Sequence, residues 1–240
     1  MMNASDLLLA LVETLGMTLI GTILAYVIGF PIGVILNVTS KTGIKPNKVV
    51  NSILGTFVNI MRSIPCLLLI VILLPLTRFL LGRSTGEWYV MIIPIFVGAF
   101  GFVSRIVESS LNEVDGGVIE ASKSMGATTW QIIRKVLIVE SMPSLINGIS
   151  VATINIIGFT AFAYDFGAGG LISKAYSFYK NNTKYFVSYS EFFKNPDIWG
   201  LIITIVLIVL LVQIIQELGQ RISKKIDKRR KAKWEKLINY

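Results

Sequence analysis

Long uncharged apolar blocks alternate with short basic segments along most of this chain, and the blocks are too long for the core of a soluble domain. A helix crosses ~30 Å of hydrocarbon with about 20 mostly apolar residues, and five stretches meet that requirement. The first runs from Thr14 to Leu36 without a charge. The second covers Val49 to Leu76, interrupted by Arg62 and carrying Pro65 and Pro75. The third begins at Trp88, is uncharged to Val103 and ends near residue 107, with Arg105 just beyond its apolar part. The fourth occupies 142–164, between Glu140 and Asp165, and the fifth runs from Ile198 to Gln216 almost entirely in Leu, Ile and Val. The pattern predicts an all-α polytopic membrane protein of five transmembrane helices, organised as one domain over residues 1–240.

The segment between the third and fourth spans, about 113–141, is neither a turn nor a linker. Val118, Ala121 and Met125 recur at three- and four-residue steps behind Asp115, a suitable N-cap, which predicts one short amphipathic helix. Gly126 follows where a helix ends in the left-handed conformation. Thr128 and Gln131 have the spacing of a capping box for a second helix, with Trp130, Ile133 and Leu137 on one stripe. Pro143 either ends that helix or starts the fourth span. On pattern alone, this helix–Gly–helix element lies flat on the bilayer or docks a partner.

Charge gives the orientation. Apolar residues make up 53% of the chain and charged ones 15%, with a mean hydropathy of +0.69, against about 25% charged in soluble domains. The net charge is +9. Assigned to alternate sides of five spans, 16 Lys and Arg fall on one face and 6 on the other, with Arg62 inside a span. The positive-inside rule makes the richer face cytoplasmic, so the N-terminus is expected outside and the C-terminus inside a bacterial plasma membrane. No Lys or Arg precedes Lys41; the basic start of a cleavable signal peptide is missing and the first span is expected to stay. Histidine is absent and Cys66 is the single cysteine. That excludes imidazole-based catalysis, internal disulfides and Cys-cluster metal sites, and no catalytic or metal-binding residue is assigned. No Gly-x4-Gly-Lys-Ser/Thr phosphate loop occurs either, so ATP chemistry would have to come from another chain.

Glu120-Ala121-Ser122, three residues and then Gly126 closely resemble the EAA loop of ABC-importer permeases. The longer run from Gly101 through Arg105, Glu108, Asp115 and Gly126 to Thr128, together with Trp130–Val136 and Met61-Arg62-Ser63-Ile64-Pro65, is similar to the methionine-type members. Two positions depart from that pattern: Ser122 stands where the third residue is usually Ala, and Ile138-Val139 where Leu-Pro is usual. The family's glycine-rich segment after span four is present in part, as Gly167-Ala168-Gly169-Gly170. The resemblance implies a homodimer of this subunit with two copies of a separate ABC ATPase that bind ATP and Mg, this chain holding no cofactor. It further implies an extracytoplasmic substrate-binding lipoprotein, and an ATPase-coupling role for Glu120, Ala121, Ser122, Met125, Gly126, Ala127 and Thr128.

Other features are placed against that frame. Arg62, beside Ser63, either serves a pathway or snorkels to headgroups. Asn155 and Gly158 in span four either pack helices or line the route. Phe162–Phe193 is rich in aromatics with interleaved lysines, which on an outer face fits an interfacial helix around Leu171–Tyr179 better than nucleic-acid stacking. The basic tail Arg221–Lys236 is expected to meet anionic membrane lipid. The expected function is the permease of an ATP-driven importer of L-methionine, with D-methionine a further candidate. The alternatives are a permease for another amino acid or small nutrient, an ATP-independent scaffold or channel, and a membrane-embedded enzyme. Missing histidines and missing paired intramembrane carboxylates argue against the last.

Overall fold

In hydrocarbon a backbone amide finds no partner outside its own segment, so long Leu, Ile and Val runs become helices. This computed structural model describes residues 4–181 and 196–227, and the basic tail past Asp227 and the aromatics between 182 and 195 lie outside them. Among the described residues ten α-helices occur and no strand. They are α1 Ala4–Thr39, α2 Lys48–Ser63, α3 Cys66–Leu81, α4 Ile92–Asn112, α5 Gly116–Ser124, α6 Thr129–Ile132, α7 Ile138–Glu140, α8 Met142–Phe159, α9 Leu171–Asn181 and α10 Pro196–Ile226. A 3-10 turn, Trp88–Met91, leads into α4, a π turn, Ile133–Leu137, joins α6 to α7, and a 3-10 stretch, Thr160–Phe166, extends α8.

Four of these stretches are long and apolar enough to cross a membrane: Ala4–Thr39, Trp88–Asn112, Met142–Phe166 and Ile198–Ile226. The expected second span differs. It is two helices, α2 and α3, sharply bent at Ile64-Pro65, and it makes a fifth crossing only if the bent pair is taken as one. Pro65 contributes no N–H and pushes the preceding Ile64 out of the helical region, so the ladder stops there. Arg62 therefore lies in the last turn of α2 and not midway along an unbroken span. The third span also runs further than its apolar part, carrying Arg105 and Glu108 inside α4. A charge is tolerated there because the two side chains pair, Nη1 to Oε2 at 2.6 Å.

The chain divides into two compact units. One takes in Met1–Ala25, Ile64–Ala99 and Thr153–Ile214. Met17, Ile70, Met91, Ile95, Ile156 and Leu171 are fully enclosed in it. There α9 is fastened to α1 at its start: the Gly170 N–H donates to Glu13 Oε2 at 2.7 Å and the Leu171 N–H to Thr14 Oγ1 at 2.8 Å. These groups fill the unpaired amide end of α9 and complement its dipole. Lys174 Nζ adds an ion pair to Asp6 at 3.5 Å, and Tyr164 lies 4.6 Å from Tyr176, ring to ring.

The other unit takes in Tyr26–Ser63, Phe100–Ala152 and Ile215–Tyr240. Leu36, Val58, Val103, Leu111, Ile132 and Leu137 form its interior. Polar side chains stitch its helices together. Asn37 Nδ2 donates to Asn112 Oδ1 at 2.7 Å, Asn51 Nδ2 to the Leu36 carbonyl at 2.8 Å, and Ser223 Oγ to the Pro143 carbonyl at 2.7 Å. Each such bond contributes roughly 0.6 kcal/mol between membrane helices.

Candidate functional site: the helix–glycine–helix element

The segment following α4 is built almost wholly from local rules. Asp115 ends the connection in extended geometry and its Oδ1 accepts the Gly117 N–H at 2.7 Å, starting α5. The helix closes on Gly126, whose φ is +81°. Its N–H donates to the Lys123 carbonyl at 2.9 Å, and the Ala127 N–H to the Ser122 carbonyl at 3.1 Å. This pair of bonds is the Schellman closure, which satisfies the last carbonyls of α5. Two residues later the chain is helical again. The Gln131 N–H donates to Thr128 Oγ1 at 3.3 Å, while the Thr128 N–H donates to Gln131 Oε1 at 2.8 Å, a complete capping box. The start of α5, its end and the start of α6 are all hydrogen-bonded from within residues 115–131, so the conformation of the element is preset.

The stripe expected of α5, Val118, Ala121 and Met125, faces outward. Ser122 is the residue turned inward, 6% exposed, its hydroxyl donating to the Val118 carbonyl at 2.8 Å. Met125, Val118 and Trp130 instead face out, Met125 at 81% and Trp130 at 68% exposure. Glu120, Ala121, Gly126 and Thr128 are exposed beside them, and Ala127 is half-buried. In the second helix Ile132 and Leu137 are buried, not the expected Trp130–Ile133–Leu137 stripe. The π turn is the reason. In a regular helix residues five apart stand about 140° from one another; the i→i+5 bond from the Ile138 N–H to the Ile133 carbonyl narrows that offset and brings Ile132 and Leu137 inward together. Pro143 sits in the first turn of α8, where its missing N–H costs nothing. The result is a preformed knob carrying an acidic residue, three exposed apolar side chains and a buried serine.

Trp130 and Val118 are surface residues. Large apolar groups exposed on a hydrogen-bonded, rigid element mark a surface meant to be covered.

The other candidates lie elsewhere. Arg62 and Ser63 form the exposed end of α2; the Ser63 hydroxyl returns to the Asn59 carbonyl at 2.8 Å. Arg62 makes no ion pair among the described residues. Asn155 and Gly158 are both exposed on α8, on one face with Asn147 and Val151 at three- to four-residue steps. That face bears no close neighbour at Gly158.

Known proteins share both sequence and fold with this chain. Residues 29–226 match the family described as binding-protein-dependent transport system inner membrane component. A relative from Vibrio cholerae named probable D-methionine transport system permease protein MetI is 37% identical over 230 residues, 95% of each chain. The methionine import system permease protein MetP of Bacillus subtilis is 51% identical over 142 residues, 59% of this chain and 64% of its own. Among solved structures, an inward-facing MetNI methionine ABC transporter superposes with a TM-score of 0.84 at 36% identity, covering 94% of this chain and 98% of its own. An amino acid ABC transporter at 15% identity shares the fold, with a TM-score of 0.69. With most of its length matched in sequence and in fold, this chain belongs to the family of inner membrane components of binding-protein-dependent transport systems.

Proposed function

We propose that this chain is the permease subunit of an ATP-driven importer of methionine, forming the membrane pathway as a homodimer and driven by two copies of a separate ATPase that bind ATP and Mg. The observation that carries the reading is the preformed knob of residues 115–131. Its exposed Met125, Val118 and Trp130 need a protein partner, and a carboxylate at Glu120 gives that partner a charge to read. Closure of an ATPase dimer on ATP would draw two such knobs together, and the rigid caps would pass that displacement to α4 and α8. Relatives named as methionine permeases support the substrate. The whole chain is one permease domain in this reading, with its N-terminus outside and the Lys/Arg-rich face cytoplasmic. The basic tail is held by anionic lipid, and an extracytoplasmic lipoprotein delivers substrate to the opposite face.

Within this scheme Glu120, Ala121, Ser122, Met125, Gly126, Ala127 and Thr128 couple to the ATPase. Arg62, Ser63, Asn155 and Gly158 belong to the translocation pathway. The test is uptake of radiolabelled L-methionine into cells or proteoliposomes carrying the permease, its ATPase and the binding protein. Uptake should require ATP and fall when excess unlabelled methionine competes. ATP-dependent uptake of a different labelled amino acid, with no uptake of methionine, would reassign the substrate and leave the permease reading standing. Uptake independent of the ATPase would refute the permease reading itself.

A further inference from the structure

α4 does more than lead into the coupling element. Its Arg105 guanidinium reaches across to α2, where Nη2 donates to Asn59 Oδ1 at 2.8 Å and to the Gly55 carbonyl at 3.2 Å, while Nη1 is held by Glu108 Oε2 at 2.6 Å. The pair is largely enclosed, 28% and 16% exposed at Arg105 and Glu108. A planar fork that binds acceptors on two helices fixes their spacing and their rotation, which a lysine ammonium would not. One turn earlier on α4, a Cβ at Gly101 would stand 3.1 Å from Arg62 Cγ and 3.3 Å from the Val58 carbonyl. That position leaves α4 lying directly against the last turns of α2. Asn59 in turn accepts the Ser63 hydroxyl at its carbonyl. At its other end α4 stops at Asn112, three residues before the Asp115 cap of α5, and Leu111 and Val114 anchor that short connection in the core.

We infer that Arg105 is a positioning residue: it locks α2 to α4, so that displacement of the coupling element reaches the Arg62–Ser63 turn just before the Ile64-Pro65 break. The inference rests on the importer reading above. It is distinct from a local role for Arg105, which would be to neutralise Glu108 within α4. Only the bridge to α2 transmits motion.

The test uses the assembled transporter in a Cys66→Ser background with Ile60→Cys, exposed in the same last turn of α2, as reporter, following thiol labelling with and without ATP, alongside uptake per ATP hydrolysed. In the otherwise unaltered reporter protein, ATP should change the labelling rate. Arg105→Gln should keep the ATPase bound and hydrolysing, yet lose the ATP-dependent change in labelling and at least tenfold of the uptake per ATP. Asn59→Ala removes the shorter of the two contacts on α2 and leaves the Gly55 carbonyl, so it should lose the same two responses in part, which separates the bridge from any general loss of folding. Charge exchange, Arg105→Glu with Glu108→Arg, rebuilds the pair within α4 from a different starting point and should not rescue. Rescue by that exchange, an unchanged labelling response in Arg105→Gln, or no ATP response in the reporter protein overturns the bridge alone. A reporter protein that retains no ATPase overturns the importer reading and the bridge with it.

Discussion

Gly126→Val should give a protein that inserts normally, yet fails to retain its ATPase and to transport. Gly126 has a φ of +81°, and a Cβ built there meets no heavy atom within 4 Å. The cost is thus conformational and not steric crowding: a β-branched residue in the left-handed region is strained by ~1–3 kcal/mol. The Schellman closure and the capping box stand on either side of this residue, so its relaxation would rotate α5 against α6 and misplace Glu120 relative to Trp130. Gly126→Asn is the informative control, because Asn enters the left-handed region more readily than other residues. Uptake and ATPase copurification should rank parent, then Asn, then Val. Equal function in all three would show that the turn is not what the ATPase reads. Glu120→Ala, which leaves the backbone intact, should weaken the same interaction without strain.

The second large effect is expected at Arg62. This cation closes α2, exposes its head and finds no acidic partner among the described residues. An uncompensated charge next to hydrocarbon is expensive unless water, substrate or a second subunit meets it. If it serves the pathway, Arg62→Ala should abolish uptake while the ATPase still copurifies. Arg62→Lys distinguishes the roles. A snorkelling cation is served equally well by lysine, whereas a fork contacting a carboxylate is not. Full uptake in Arg62→Lys and Arg62→Ala alike would return the residue to plain interfacial anchoring.

How much of this was legible in the residues depends on the range of the interaction that decides each feature. The caps of α5 and α6 are settled within three to five residues, and Asp115, Gly126, Thr128 and Gln131 all stand where spacing predicted them. The long apolar helices followed from composition for the same reason. The break of the second span is different. Pro65 and Pro75 both occur in that stretch, yet Pro75 sits inside α3 and only Pro65 ends a helix. Hydropathy sees no distinction between them. Arg105 was legible as a charge at the end of an apolar run, but its partners on α2 lie 46 and 50 residues away, beyond any local pattern. A uniform 3.6-residue period puts Trp130, Ile133 and Leu137 on one stripe; the π turn after Trp130 sets Ile132 and Leu137 inward together instead. The knob and the outward stripe of α5 were readable; the inward side of the knob's second helix was not.

The central claim is that this knob is covered by an ATPase and not by lipid. A photo-crosslinking amino acid placed at Met125, the most exposed of the knob's large apolar positions at 81%, tests it in intact membranes. Illumination should join this chain to a single partner protein of ATPase size, and the yield should change when ATP is added. Crosslinks to phospholipid alone, unaffected by ATP, would mean that the element lies flat on the bilayer, and would contradict the account.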